Sequence, residues 1–127
     1  MRNHTWNYLL AGLTTGVMLV FSGPLFAHHN TQTRYDASRP VTVSGTVKRF
    51  RMVNPHGRIE VEVKEESGAV VLWDIESGSA SGLYRRGWRT DALKPGDHVT
   101  ATGSPAVDGG KSMVLIKLVT TSGKVLD

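Results

Sequence analysis

The sequence contains no cysteine, so neither a disulfide bond nor a thiolate-bound metal can stabilise its fold. Small domains often rely on such covalent or metal links, and this one must instead fold by packing, or with help from a ligand, a non-thiolate metal site or a partner chain. The chain also lacks an HExxH zinc motif, a phosphate-binding glycine loop and a recognisable serine–histidine–acid arrangement. We therefore predict that the protein is not an enzyme.

Charged residues are missing from residues 9–22, an apolar stretch that follows the single positive charge of Arg2. A glycine and a proline end the stretch, and Ala27 then offers a small residue for cleavage. These three regions are typical of a secretory signal peptide, which we predict as residues 1–27. The alternative is a membrane anchor, but a spanning helix needs roughly 20 apolar residues and this run is shorter.

The predicted mature chain, residues 28–127, has a length that suits a single domain with a modest core. Its formal charge is only +3, because 14 of the 15 basic residues and all 11 acidic residues lie within it. We expect no membrane span after cleavage. Because the charge is weak and the chain carries an export signal, we also expect no nucleic acid partner.

Five segments of the mature chain show the short, largely alternating apolar pattern of β-strands, and turns rich in glycine or proline separate them. The segments are 40–50, 58–66, 70–77, 98–106 and 113–121. The stretch between the third and fourth differs, and we predict one short helix near 79–87. The loop after it is expected to carry Trp88 and Leu93 into the core. A last turn at 122–124 leads into a short tail.

Three strands, a short helix and two strands are the order of an OB-fold, a five-stranded Greek-key barrel. Gly45 lies midway along the first strand, where a bulge or sharp bend would fit this fold. Another small β-barrel or sandwich is the alternative, although an immunoglobulin-like sandwich needs about seven strands. We therefore predict an all-β domain with one short helix, in the order β-β-β-α-β-β. The alternation also places Trp73 on the buried face of the third strand.

The mature chain carries several distinctive motifs, namely HHN (28–30), YDASRPVTVSGTV (35–47), NPHG (54–57), WDIESGS (73–79), LYRRGW (83–88), LKPGDHVTATGSPA (93–106) and DGGKSM (108–113). Together they resemble those of a family of small exported bacterial proteins that is known only as a domain of unknown function. The resemblance spans nearly the whole mature chain. It implies a periplasmic location in a Gram-negative bacterium and an OB-like barrel, and it brings no established activity.

Two adjacent histidines follow the predicted cleavage site. After cleavage, His28 would carry both a free amine and an imidazole, which can chelate one metal ion. His56 lies in a turn between the first two strands, and the corresponding OB-fold loop forms one wall of the usual ligand groove. Three nitrogens in a plane suit Cu(II), so the pattern predicts a copper site that resembles the histidine brace of copper proteins.

Several alternatives remain open for these histidines. His29 could supply the third nitrogen in place of His56, and Glu76 or a water could be the axial ligand. Zinc is the second metal candidate. The pair at 28–29 could instead be a frayed chain end, and His56 an ordinary exposed turn residue. We interpret His98, at the start of the fourth strand, as a surface residue.

Other charged residues fit a solvated surface. Asp74 and Glu76 share the polar face of the third strand, and we interpret them as solvated carboxylates that pair with bases across the sheet. The basic segments 48–51 and 84–89 are interpreted as a solvated face with its aromatic residues inside. An anionic glycan, a lipid headgroup or an acidic protein is the alternative partner for them.

These observations predict an exported, non-catalytic binding protein that binds copper through its processed N-terminal histidine. The alternative is a periplasmic interaction module that binds a peptide, a glycan or an envelope protein in the barrel groove. The first function requires an unblocked amine at His28, and the second does not.

Overall fold

A computed structural model describes residues 34–127. The predicted signal peptide, the cleavage site after Ala27 and the histidines at 28 and 29 all lie outside the described residues. The elements are β1 (Val41–Arg51), β2 (Arg58–Lys64), β3 (Val70–Glu76), α1 (Ala80–Arg85), β4 (His98–Pro105), β5 (Ser112–Thr120) and β6 (Val125–Leu126). The predicted order of five strands and one helix is confirmed, and a short sixth strand follows. No helix among these described residues is long and apolar enough to cross a membrane.

The strands form one sheet in the order β3-β2-β1-β4-β5-β6, and a further pairing between β3 and β5 closes it into a barrel. This closing pairing is parallel, whereas the other pairings are antiparallel. It joins only three residues of each strand, from Asp74↔Ser112 to Glu76↔Val114. The chain is therefore an OB-like Greek-key barrel, as the strand order predicts.

Strand β1 serves both halves of the barrel. Its first part pairs with β4, and its second part pairs with β2. The register shifts between Val47 and Arg49, so the bulge lies beyond Gly45. Gly45 has a different role, because a Cβ atom there would lie 2.2 Å from the backbone oxygen of Glu62. The strands approach too closely at this point for any side chain.

The core lies inside the barrel and beneath α1. Trp88 is the largest fully buried side chain, with 1% of its surface exposed, and its ring lies 5.6 Å from that of Phe50. Leu93 is also buried, so the predicted role of the loop after the helix is confirmed. Trp73 packs against the core but is only partly buried, with Lys111 Nζ 5.7 Å from its ring centre. The dominant core aromatic is therefore Trp88 and not Trp73.

Helix α1 begins one residue later and ends two residues earlier than predicted. Ser79 caps its start, since the side chain accepts a hydrogen bond from the Gly82 amide at 3.2 Å. Gly87 follows the helix with φ 90°, a conformation that glycine adopts at little cost. The amide of Trp88 then bonds back to the Leu83 oxygen at 3.0 Å, which directs the indole inward.

Candidate functional site

An open cavity of about 390 Å³ lies at the end of the barrel where β3 and β5 meet. Its wall comes from the segment before β1, the loop between β1 and β2, the end of β3, helix α1 and its following turn, and strands β4 and β5. The wall includes Tyr35, His56 and Glu76. The structure therefore brings two of the predicted metal-ligand candidates, His56 and Glu76, to one cavity.

The loop that carries His56 is tied to the connection between β3 and α1. Gly57 donates a backbone hydrogen bond to Gly78 at 2.9 Å and accepts one from Ser77 at 2.8 Å. The side-chain oxygen of Asn54 accepts a hydrogen bond from the Ala80 amide at 3.1 Å. Asn54 thus binds the first turn of the helix. These contacts hold His56 beside the end of β3.

Glycine is required at position 57 by this close approach. A Cβ atom there would lie 2.5 Å from the Ser77 hydroxyl and 3.0 Å from a methyl group of Leu83. A side chain would therefore push the loop away from the cavity.

Glu76 is the most connected acidic residue of the site, and only 8% of its surface is exposed. Its Oε2 accepts hydrogen bonds from the Tyr35 hydroxyl at 3.3 Å and from Arg58 Nη1 at 3.0 Å. Its Oε1 lies 3.4 Å from His56 Nδ1. The interpretation of Glu76 as a solvated carboxylate is therefore wrong, whereas Asp74 is partly exposed and pairs with Arg58 at 2.9 Å.

The burial of Glu76 comes from the segment that precedes β1. Tyr35 forms an isolated antiparallel bridge with Ala106, and the Asp36 amide bonds to the Pro105 oxygen at 2.8 Å. This pairing lays the Tyr35 side chain, itself only 6% exposed, against the carboxylate. Strand alternation correctly puts Glu76 on the polar face of β3, but it does not show that another segment covers that face.

The hydroxyl of Tyr35 stays protonated at neutral pH and acts as a donor. Burial raises its pKa above the ordinary value, and the negative charge of Glu76 raises it further. Its role was missed at the level of sequence, because a single tyrosine before the first strand carries no local signal. Nearby, hydrogen bonds from Ser38 lower the pKa of the Asp36 carboxyl.

A complete metal site is not formed by residues 34–127 alone. Within that range no group of three or more histidine or acidic residues is close enough to hold a metal ion. His56 and Glu76 provide two donors, and His28 and His29 lie outside the described residues. His98 is exposed at the start of β4, as predicted.

The two basic segments differ in their surroundings. In the first segment, Lys48 pairs with Glu62, and Arg49 and Arg51 pair with Glu60. In the second, the guanidinium carbon of Arg89 lies 4.2 Å from the ring centre of Tyr84. The prediction that the aromatic residues of this face are buried is wrong for Tyr84, since 59% of the residue is exposed. Trp88 in the same segment is buried as predicted.

A known structure supports the fold. One crystal structure of the S. cerevisiae mitochondrial single-stranded DNA binding protein Rim1 has 12% sequence identity and a TM-score of 0.51, over 65% of this chain and 92% of that chain. A second crystal form of Rim1 has 14% identity and a TM-score of 0.49, over 65% of this chain and 94% of that chain. At this identity the similarity is one of fold. No curated protein sequence matches the chain significantly.

A family model gives the more specific result. It matches residues 17–115, which include the described residues 34–115 and therefore most of the barrel and the cavity wall. The match agrees with the motif-based resemblance. The chain therefore belongs to DUF6152, a family of unknown function.

Proposed function

We propose that this chain is an exported, non-catalytic binding protein that binds a metal ion with His56, Glu76 and the histidines at 28 and 29. Copper is the first candidate for this metal, and zinc is the second. The observation that supports this most is the 3.4 Å approach of His56 Nδ1 to Glu76 Oε1 in the cavity wall. Imidazole nitrogen and carboxylate oxygen are common ligands of transition metals. The cleaved N-terminus would add an amine and two more imidazoles.

The spacing of the two donors is compatible with a shared ion. Two donors about 2.0–2.1 Å from a tetrahedral metal lie about 3.3–3.4 Å apart, close to the separation observed. A square-planar Cu(II) ion would require about 2.8–2.9 Å between neighbouring donors. His56 could close that gap, because 48% of its side chain is exposed. Tyr35 and Arg58 bind Oε2 of Glu76, so a metal ion would use Oε1.

The chain length permits the N-terminal histidines to reach this site. His28 precedes Tyr35 by seven residues. An extended chain spans at most about 3.3–3.6 Å per residue, so His28 lies within about 25 Å of Tyr35 along the chain. Because the Tyr35 hydroxyl is 3.3 Å from Glu76, that reach includes the whole cavity.

The test is a titration of Cu(II) and Zn(II) into the protein recovered after export, whose N-terminus is first determined by mass spectrometry. We expect tight copper binding to the wild type, which raises the melting temperature because the ion binds only the folded state. His56→Ala and Glu76→Gln should weaken binding, and His98→Ala is the matched control. Binding should fade at low pH, since protonated amine and imidazole do not coordinate metals.

A chain extended by one residue before His28 provides the decisive comparison. It keeps every side chain, but its free amine belongs to the added residue and no longer to His28. It should therefore lose tight copper binding. Equal affinities in the wild type, the extended chain and both histidine variants would refute the metal proposal. Recovery of the chain in the cytoplasm with residues 1–27 still attached would refute the proposed export to the periplasm.

The second candidate function is an interaction module, and one observation favours it. Strand β3 pairs with β5 only through residues 74–76, so residues 70–73 have an edge without a strand partner in the described chain. Val70 and Leu72 are exposed there, by 63% and 44%. An extended peptide could add to such an edge through backbone hydrogen bonds. An extra residue before His28 would not affect this binding.

A further inference from the structure

Part of the cavity wall beside Glu76 is apolar, and a metal ion would not use it. Leu83 and Trp88 contribute from helix α1 and the loop that follows, and Ile116 contributes from β5. Ile116 is 50% exposed, although it belongs to a cavity wall. Small-molecule sites combine such apolar surfaces with a few polar groups, and their volumes run from about 300 to 1,000 Å³. The volume of about 390 Å³ suits a small organic compound.

Ser77 supplies a polar group without a partner in the same wall. The residue is only 5% exposed, and its hydroxyl oxygen forms no hydrogen bond with the part of the chain that the structure describes. A buried hydroxyl left unpaired destabilises the folded protein. The hydroxyl lies against Gly57, and a rotation of the Ser77 side chain toward the cavity would let a ligand oxygen satisfy it, since it can both donate and accept a hydrogen bond.

Arg86 supplies a free positive charge. Among the wall residues that the structure describes it is the only arginine or lysine, and no carboxylate of the described chain forms an ion pair with it. A Cβ atom at Gly78 would lie 2.5 Å from Arg86 Nη2, so the guanidinium rests against the backbone next to Ser77. The charge of Glu76 is already matched by Arg58, and Asp127, the other acidic residue of the wall, forms no ion pair within residues 34–127.

We infer that the cavity binds a small organic acid, whose carboxylate pairs with Arg86 and bonds to the Ser77 hydroxyl. The apolar part of the molecule packs against Leu83, Trp88 and Ile116. A guanidinium suits this role because its fixed fork of donors matches a carboxylate. The inference extends the proposed binding function by naming a ligand class, and it requires no metal ion.

The test uses octanoate as the probe, with octanol as its uncharged counterpart, in isothermal titration calorimetry of the purified protein with EDTA present. We expect octanoate to bind the wild type more tightly than octanol does. Arg86→Gln should weaken octanoate binding by about tenfold or more and leave octanol binding unchanged. The matched control is Arg85→Gln, which removes the same charge from the neighbouring position outside the cavity wall and should change affinity less than about twofold.

Ser77→Ala provides a second, independent readout. It removes an unpaired hydroxyl, so the ligand-free protein should melt at the same or a higher temperature while octanoate binds more weakly. Equal effects of Arg85→Gln and Arg86→Gln, equal binding of octanoate and octanol, or no binding at millimolar octanoate would each overturn the inference. Because EDTA removes metal ions, octanoate binding with failed copper binding would refute only the metal proposal. Copper binding without octanoate binding would refute only the organic-acid inference.

Discussion

Replacing Tyr35 by phenylalanine removes one hydroxyl from the cavity wall and keeps the buried ring. That hydroxyl donates a 3.3 Å hydrogen bond to Glu76, which also accepts a 3.0 Å bond from Arg58. Hydrogen bonds to charged groups contribute about 1.5–3 kcal/mol, but this one is long and Glu76 keeps its bond to Arg58. We therefore expect Tyr35→Phe to lower the free energy of unfolding by about 1 kcal/mol. In a domain of this size that lowers the melting temperature by about 4–8 °C.

The same variant should change how stability depends on pH. The pKa of Tyr35 is raised in the folded protein, first by burial and then by the charge of Glu76. A raised pKa contributes stability that is complete below the unfolded pKa of about 10 and is lost as pH rises through the folded value. The advantage of the wild type over Tyr35→Phe should therefore stay constant between about pH 6 and 9 and shrink above about pH 10.

The assay is urea unfolding followed by circular dichroism, for both proteins, at several pH values up to about 11. Tyr84→Phe is the matched control, because Tyr84 is 59% exposed and forms no hydrogen bond through its hydroxyl within the described chain. A double-mutant cycle with Glu76→Gln should give a coupling energy above about 0.5 kcal/mol. Equal stabilities at neutral pH, or a difference that stays the same across pH 10, would refute the assigned hydrogen bond.

Four further substitutions test the packing of the barrel and the cap of its helix. Trp88→Ala should cost about 3–5 kcal/mol in urea unfolding, and Trp73→Ala clearly less, because only Trp88 is fully buried; the reverse order would mean that the core is assigned wrongly. Gly45→Ala should abolish the cooperative thermal transition or lower its midpoint sharply, since its Cβ atom would lie 2.2 Å from a backbone oxygen; an unchanged transition would contradict that close approach. Ser79→Ala should cost about 1 kcal/mol through loss of the helix cap, and no change in urea midpoint would exclude the cap.

Much of the barrel could be predicted because its strands face two different environments. Residues 58–64 alternate between buried and more exposed positions, and that period alone indicates a strand with one buried face. Ser79 and Gly87 bracket α1 with the residues that helix ends prefer. Strand β6 was not predicted, because its two residues are too few to show any period.

The cavity could be predicted only in part. The loop position of His56 identified one wall, since it follows from the order of the strands. The burial of Glu76 depends on the pairing of Tyr35 with Ala106, residues 71 positions apart, and no local pattern reports such a contact. Trp73 was predicted to be more buried than it is, for a related reason. Alternation shows which face a side chain is on, but not how much of that face the neighbouring segments cover.

The barrel is closed by the short parallel pairing of β3 with β5. Three residue pairs close it, whereas β1 and β4 are joined along six. Separating β3 from β5 at residues 74–76 and 112–114 therefore breaks fewer backbone hydrogen bonds than separating β1 from β4. Amide hydrogen exchange should begin at these residues. Glu76 and Val114 belong both to this β3–β5 pairing and to the cavity wall. A molecule that contacts both residues would stabilise the closed barrel, in a protein that has no disulfide bond to do so.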